Sequence, residues 1–283
     1  MHDHRAAIVE RLRRDGHSQP GPGSVSWTIN REMIAVAGWG RAILLQLAHP
    51  SIAAGVGDHS SFRLGVRASL HRLRSTVGAM LAIMFGDADE MITAAAGINA
   101  IHDRVSGRVP GTARAYSAHD PELLRWVHVT LLDSILRTHE QLIAPLSDAE
   151  RNRYCAEGAI MEALLGMPDG WLPRTHAHLQ AHLDQGLASV AVTPAGRALA
   201  HAVLYPPCWY LAWPAFRFVQ LLTIGSLPAS IRSAYGFDWR PRDAAALARW
   251  TVAARRLLAV LPDFARYWPQ AHESQPASLF RIS

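Results

Sequence analysis

His102, Arg72, Thr76 and His59 are the side chains whose types and placement suggest chemistry. Arg72 and Thr76 stand four residues apart in a helical stretch, so they share a face, with Ser69 one turn before and Met80 one turn after. Gly78, Ala79 and Ala82 keep the following turns thin. His102 falls on a helical stripe with Ala95, Asn99 and Ser106, beside an apolar stripe of Ile98, Ile101 and Val105. A histidine among small residues leaves room for something flat, and a facing guanidinium and hydroxyl can anchor or polarise it. Haem fits that description: its iron takes a neutral imidazole nitrogen, and a guanidinium pairs with a propionate or donates to iron-bound oxygen. The competing interpretation is plain packing, with His102 hydrogen-bonded to a backbone carbonyl.

A second polar group interrupts RAILLQLAHPSIAAGVGDHSSF, from Arg41 to Phe62. Asp58, His59, Ser60 and Ser61 end an apolar run, and polar groups so placed need partners. Other candidates carry weaker signals. His128, in WVHVTLLDSILRTHE, is expected to be a satisfied core histidine, with a pocket role as the sharper alternative; His139 is expected at the surface, and His71 to face solvent. His178 and His182 have the spacing of a two-histidine metal face, but the intervening Leu-Gln-Ala lacks a zinc protease's glutamate, so a solvated helix is expected. Gly38 and Gly40 in AGWGR follow no strand and suit close helix packing better than a nucleotide loop. There is no Gly-x-Ser-x-Gly elbow, nor the pair of Glu-x-x-His motifs that a carboxylate-bridged di-iron bundle requires.

The elements that must position these groups are helices. Asp3–Arg14 forms a first helix, and GHSQPGPGS forbids regular structure after it. A second is predicted from about Asn30 to Ala48, bending or ending at His49 because Pro50 lacks an amide hydrogen. A third runs over about Arg63–Phe85. Asp87 with Glu90 reads as a capping box opening a fourth helix to about Val105, closed by Gly107. Asp120-Pro121 introduces a long helix to about Ile143, Ser147 with Glu150 another to Leu165, Thr193-Pro194 another, and Arg242–Leu261 the last. Alternating strand patterns are not evident.

Composition bounds the partners. With 283 residues, 49% of them apolar, the chain buries a sizeable core. The formal charge of +5 comes from arginine alone, since no lysine occurs, and the arginines are dispersed, which excludes a nucleic-acid stripe. Cys155 and Cys208 are far apart and in no metal or redox spacing, so a reducing, cytoplasmic setting is expected. MHDHRAAIVERLRRDG has no signal-peptide core. His201–Ile231 is broken by prolines and reads as core helices, with peripheral membrane contact through Trp209, Tyr210 and Trp213 as the alternative. No protein partner is expected.

The succession GWGRAILLQLAHPSIAAGVGDHSSF, RLRST, AIHDRVSG and YSAHDPELLRWVH resembles the catalytic domain shared by latex clearing protein (rubber oxygenase) and the mycophenolic acid pathway oxygenase. The resemblance covers roughly Trp27 to Leu261. It implies an all-α fold, a single multi-helix domain with a globin-like helical core over residues 25–283, preceded by an N-terminal helix and flexible link over 1–24. It further implies haem b held by His102 as the iron (metal) ligand, with Arg72 and Thr76 beside the haem as cofactor-binding and catalytic residues. Dioxygen and a small hydrophobic, unsaturated substrate of isoprenoid or lipid-like type would be the reactants; the alternative is a helical protein that binds haem or a hydrophobic ligand without turnover. Rubber-cleaving members carry a lysine immediately before the threonine, where this chain has Ser75, so that ligand or donor is missing. In place of their glutamate base stand Asp58 and His59. The Asp58-His59-Ser60 turn is therefore expected beside the haem pocket as a polar wall or proton relay, with His59 the catalytic candidate and His49 fixing the bend at Pro50.

Overall fold

A computed structural model describes residues 2–16, 19–59, 66–205 and 213–273. The fold is all-α, and among the described residues the only regular sheet is one two-stranded hairpin. No helix of the described residues is long and apolar enough to cross a membrane.

The centre is built on α7 (Pro121–Leu142), which Asp120 caps by accepting from the Glu122 amide and which carries proline in its first turn. Its apolar stripe, including Val129, Leu132, Ile135 and Leu136, packs on Leu44 and Leu45 of α3 (Trp39–Leu47) and on Leu179 and Leu183 of α10 (His176–Ser189). Each such side chain removed from water contributes about 1.5–3 kcal/mol. Polar ends in this core are paired: Trp126 Nε1 donates to the Leu45 carbonyl (3.2 Å) and Tyr235 Oη to that of Leu44 (2.6 Å).

A second cluster joins α1 (His2–Asp15) to the hairpin of α5 (Val66–Phe85) and α6 (Ala88–His102). Ile8 and Leu12 pack there with Ile83, Met91, Ile92 and Ala95. The capping box of Asp87 and Glu90 forms as the sequence predicts. α4 (Pro50–His59) follows α3 after a bend at His49, whose Nδ1 accepts from the Ser51 amide (3.3 Å). Around these lie α8 (Asp148–Gly158), α9 (Met161–Leu165), α11 (Pro194–Leu204), α12 (Trp213–Ser226), α13 (Ala229–Tyr235) and α14 (Pro241–Val260). Leu221, Leu222 and Ile224 of α12 and Ile231 of α13 are buried, as expected for core helices in His201–Ile231. Trp209, Tyr210 and the side chain of Trp213 lie outside the described residues.

The structure departs from the sequence reading in several places. A short helix, α2 (Val25–Asn30), ends where the helix expected over Asn30–Ala48 was to begin, and that helix is itself two pieces, a 3-10 segment (Met33–Gly38) and α3. The chain leaves the helix at Glu32, which is extended and sinks its carboxylate to 3% exposure, where Arg266 grips both oxygens at 2.7 and 2.5 Å. That partner lies at the other end of the chain. The helix ending at Val105 stops at His102 instead, and Gly107 belongs to the unexpected strand β1 (Ser106–Arg108), paired antiparallel with β2 (Ala115–Ser117). A Cβ at Gly107 would lie 2.7 Å from Tyr116 Oη, so the glycine leaves room for the tyrosine ring of the paired strand. The helix from Ser147 to Leu165 breaks between α8 and α9, turning Glu162 inward to accept from the amides of Gly170 and Leu172 and to pair with Arg174.

Two histidines also differ. His139 is buried, with Nδ1 3.2 Å from the Ala144 carbonyl, rather than at the surface. His128 is buried as expected but not satisfied: its Nε2 has no hydrogen-bond partner among the described residues. Close helix packing at Gly38 and Gly40 holds. A Cβ on Gly38 would fall 2.8 Å from the Ser134 carbonyl oxygen, and one on Gly40 would strike Thr223 Oγ1.

Candidate active site

His102 ends α6, where the chain turns into the hairpin. The ring is half-buried, and its Nδ1 is fully buried without a hydrogen-bond partner among the described residues. Burial, reinforced by His119, pushes its pKa down to about 4, so at neutral pH it is an uncharged imidazole. That is the form that ligates metals. One turn earlier, Asn99 donates to the Leu164 carbonyl (2.9 Å), pinning α6 to α9, while its Oδ1 is also buried and unpartnered. Beside this stripe Ile101 is 55% exposed, and none of the described residues comes within 4 Å of where a Cβ on Gly97, or on Gly78 of α5, would be. A polar group lacking a partner, an exposed aliphatic side chain and thin helix faces are what a flat, largely apolar group would cover.

His119 stands edge-on to His102, ring centroids 5.7 Å apart. Its Nε2 meets one oxygen of Asp103 (2.8 Å), and His4 of α1 meets the other (2.8 Å). Hydrogen bonds from His4 and His119 draw the Asp103 pKa below the usual carboxylate range. The carboxylate is half-exposed, so this clamp orients the rings more than it stabilises the fold.

α5 and α6 pack as a hairpin whose short Gly86–Asp87 connection makes them antiparallel. The ends farthest from that connection therefore lie side by side, bringing the turns that hold Arg72 and Thr76 level with the end that holds His102. Thr76 is exposed; the side chains of Arg72 and His59 lie outside the described residues, as do Ser60 and Ser61. Asp58, at the end of α4, has a definite partner: Tyr116 Oη donates to its Oδ2 at 2.8 Å. Tyr116 is buried against Gly55, and burial followed by the Asp58 contact raises its pKa to about 12. Because Val105 follows His102 and its carbonyl accepts from the Ala118 amide (2.8 Å), the hairpin ties the end of α4 to the end of α6.

Residues 27–256 match the family model described as ER-bound oxygenase mpaB/B′/rubber oxygenase, catalytic domain. The chain belongs to this family. No curated protein and no solved structure matches it. The family is one of oxygenases, so this chain is an oxygenase-type enzyme, and the helices just described make up most of its catalytic domain.

Within this oxygenase, some polar groups near His102 escaped sequence analysis. His119 precedes a helix cap, which is all that YSAHDPE reveals locally, and its approach to His102 depends on the hairpin. In the core around α7 lies a buried ion pair with no motif to announce it. Arg41 of α3 meets Asp133 of α7 at 2.6 Å, both nearly inaccessible. Arg41 also donates to Ser134 Oγ (2.8 Å) and to the Ser226 carbonyl (2.9 Å), while Arg137 and Gln180 donate to Asp133 (2.9 and 2.8 Å). Burial alone would raise the Asp133 pKa, but the combined pull of Arg41, Arg137 and Gln180 prevails, and it titrates below the usual range.

Proposed function

We propose that this oxygenase works with haem b carried by His102 and acts on a hydrophobic, unsaturated substrate of isoprenoid or lipid-like type. The observation that carries the proposal is His102: an uncharged ring at the end of α6 whose Nδ1 is buried and has no partner among the described residues. Leaving such a group unpaired costs about 1–3 kcal/mol, which a bond from the ring to a ligand would offset. Exposed Ile101 and the open space beside Gly78 and Gly97 suit an apolar macrocycle.

When bound, haem supplies the dioxygen chemistry. The chain's own part is to hold, orient and exclude water. His102 would hold the group through a ring nitrogen, and His119, held by Asp103, limits how that ring can turn. Arg72 provides a fork of donors for a carboxylate or an oxygen atom, and Thr76 a hydroxyl on the same face of α5. Asp58 is engaged by Tyr116, so proton handling at the end of α4 falls to His59. Ser75 and the absence of lysine withhold the ammonium that rubber-cleaving relatives use, so polymeric rubber is not assigned as the substrate.

The test is reconstitution of the purified chain with haemin. Wild type develops a Soret band, His102→Ala does not, and added imidazole restores it. An equally intense, unshifted Soret band in His102→Ala would refute the assignment. Oxygen uptake with squalene separates turnover from storage: a Soret band without uptake on any unsaturated terpenoid would favour a haem carrier.

A further inference from the structure

Away from His102, a cavity of about 230 Å³ opens where the bend between α3 and α4 meets the first turns of α7, the hairpin and α10. Its floor is apolar: Trp126 and Val129 are both buried core residues, held by packing against α3 and α10. Its walls are cationic. The cations are Arg114, which reaches it from the hairpin, and Arg125, from α7; the rings of His49 from the bend and His182 from α10 stand beside them, and Glu122 is the one carboxylate among the described lining residues. Glu122 is already bonded to Arg125. Arg114 has no carboxylate partner among the described residues, so the walls keep a net positive charge.

The arginines act on the cavity itself. The His49 pKa is lowered by burial and then by Arg114, and the His182 pKa by burial and then by Arg125. Asp120 opposes Arg114 at His49 and Glu122 opposes Arg125 at His182, so in each case the arginine is the stronger of the two charges. Arg125 is additionally braced with its guanidinium 4.8 Å from the centre of the Trp171 ring, which holds the fork in place. A concave site with an apolar floor and a few convergent charged groups is what an amphiphilic small molecule occupies. Two guanidiniums against one carboxylate leave a balance that a single negative charge neutralises, and guanidinium matches carboxylate geometry.

We propose that this cavity binds an organic monocarboxylate, its carboxylate between Arg114 and Arg125 and its apolar part over Trp126 and Val129. The site requires neither haem nor His102. Its occupant is either a free short acid or the acid end of a longer amphiphile.

Calorimetric titration of the full chain with butyrate, octanoate, 1-octanol and inorganic phosphate tests this. Saturable binding of octanoate is expected, with 1-octanol and phosphate each at least tenfold weaker. Arg114→Gln is expected to weaken octanoate at least tenfold, and its exposed position keeps it folded; His182→Gln, also near the surface, serves as the second variant, with a smaller loss expected. Butyrate binding as tightly as octanoate identifies a short free acid, and affinity rising from butyrate to octanoate identifies the end of an amphiphile; both support the site. Octanol or phosphate binding as tightly as octanoate, no saturable octanoate binding, or octanoate binding unchanged in Arg114→Gln would each overturn it.

Discussion

His128 offers a measurement in which one buried ring sets the pH dependence of stability. It lies in the middle of α7 with 8% of its surface exposed, beside Leu132 and Gly158, and its Nε2 has no partner. Burial, and then the charge of Arg174, lower its pKa from 6.5 to about 4. Above pH 6.5 the ring is neutral whether the chain is folded or not, so it adds no pH dependence there. Below 6.5 the unfolded chain takes up a proton that the folded ring refuses, and folding loses stability until about pH 4, where both states are protonated. Linkage gives about 2 kcal/mol lost between pH 8 and pH 5, and about 3 kcal/mol in all. Urea unfolding of wild type and His128→Leu at pH 8, 6.5 and 5 measures this directly. The carboxylates, Asp133 among them, titrate alike in both proteins, so their contributions cancel in the difference. Relative to the variant, wild type should weaken by about 2 kcal/mol from pH 8 to pH 5. A difference constant to within about 0.5 kcal/mol across that range would show that the folded ring takes up its proton normally, and the reasoning would fail.

Two further outcomes follow from the packing around α7. Arg41→Met leaves the buried Asp133 short of its closest cation and should cost about 3–5 kcal/mol in urea unfolding, whereas adding Asp133→Leu should recover most of the loss. Gly40→Ala should cost about 1–3 kcal/mol by overpacking and be relieved by Thr223→Ala, because the obstacle is a hydroxyl. Gly38→Ala, which meets the Ser134 backbone oxygen at 2.8 Å, should not be relieved by Thr138→Ala; thermal melts of the two pairs distinguish them.

Local signals in the sequence were largely obeyed. The caps at Asp87, Asp120, Ser147 and Thr193 mark helix starts, because each satisfies amides within a few residues of itself. What the sequence concealed depends on partners far away in it. Glu32 leaves its helix for Arg266, Glu162 turns toward a loop and Arg174, and Gly107 yields to Tyr116. In the candidate site, the Ala95, Asn99 and His102 stripe and the placing of Arg72 and Thr76 on one helix were legible because helical periodicity generates them, whereas Val105 and Ser106, expected on the same helix, fall past its end. His119 and the binding of Asp58 by Tyr116 were not, since a hairpin absent from any alternating pattern brings them there. The burial of His139 was missed for a related reason: its partner carbonyl at Ala144 lies just past the helix end, where periodicity stops being informative.

The junction at Asp133 bears on how the chain assembles. Its carboxylate needs Arg41 from α3 and Gln180 from α10, and Arg41 in turn needs the Ser226 carbonyl at the end of α12. A half-formed assembly with two of these helices docked and the others absent would strand a charge or leave a donor unmet in the interior. Such states are penalised, which favours docking these helices together over docking them one at a time.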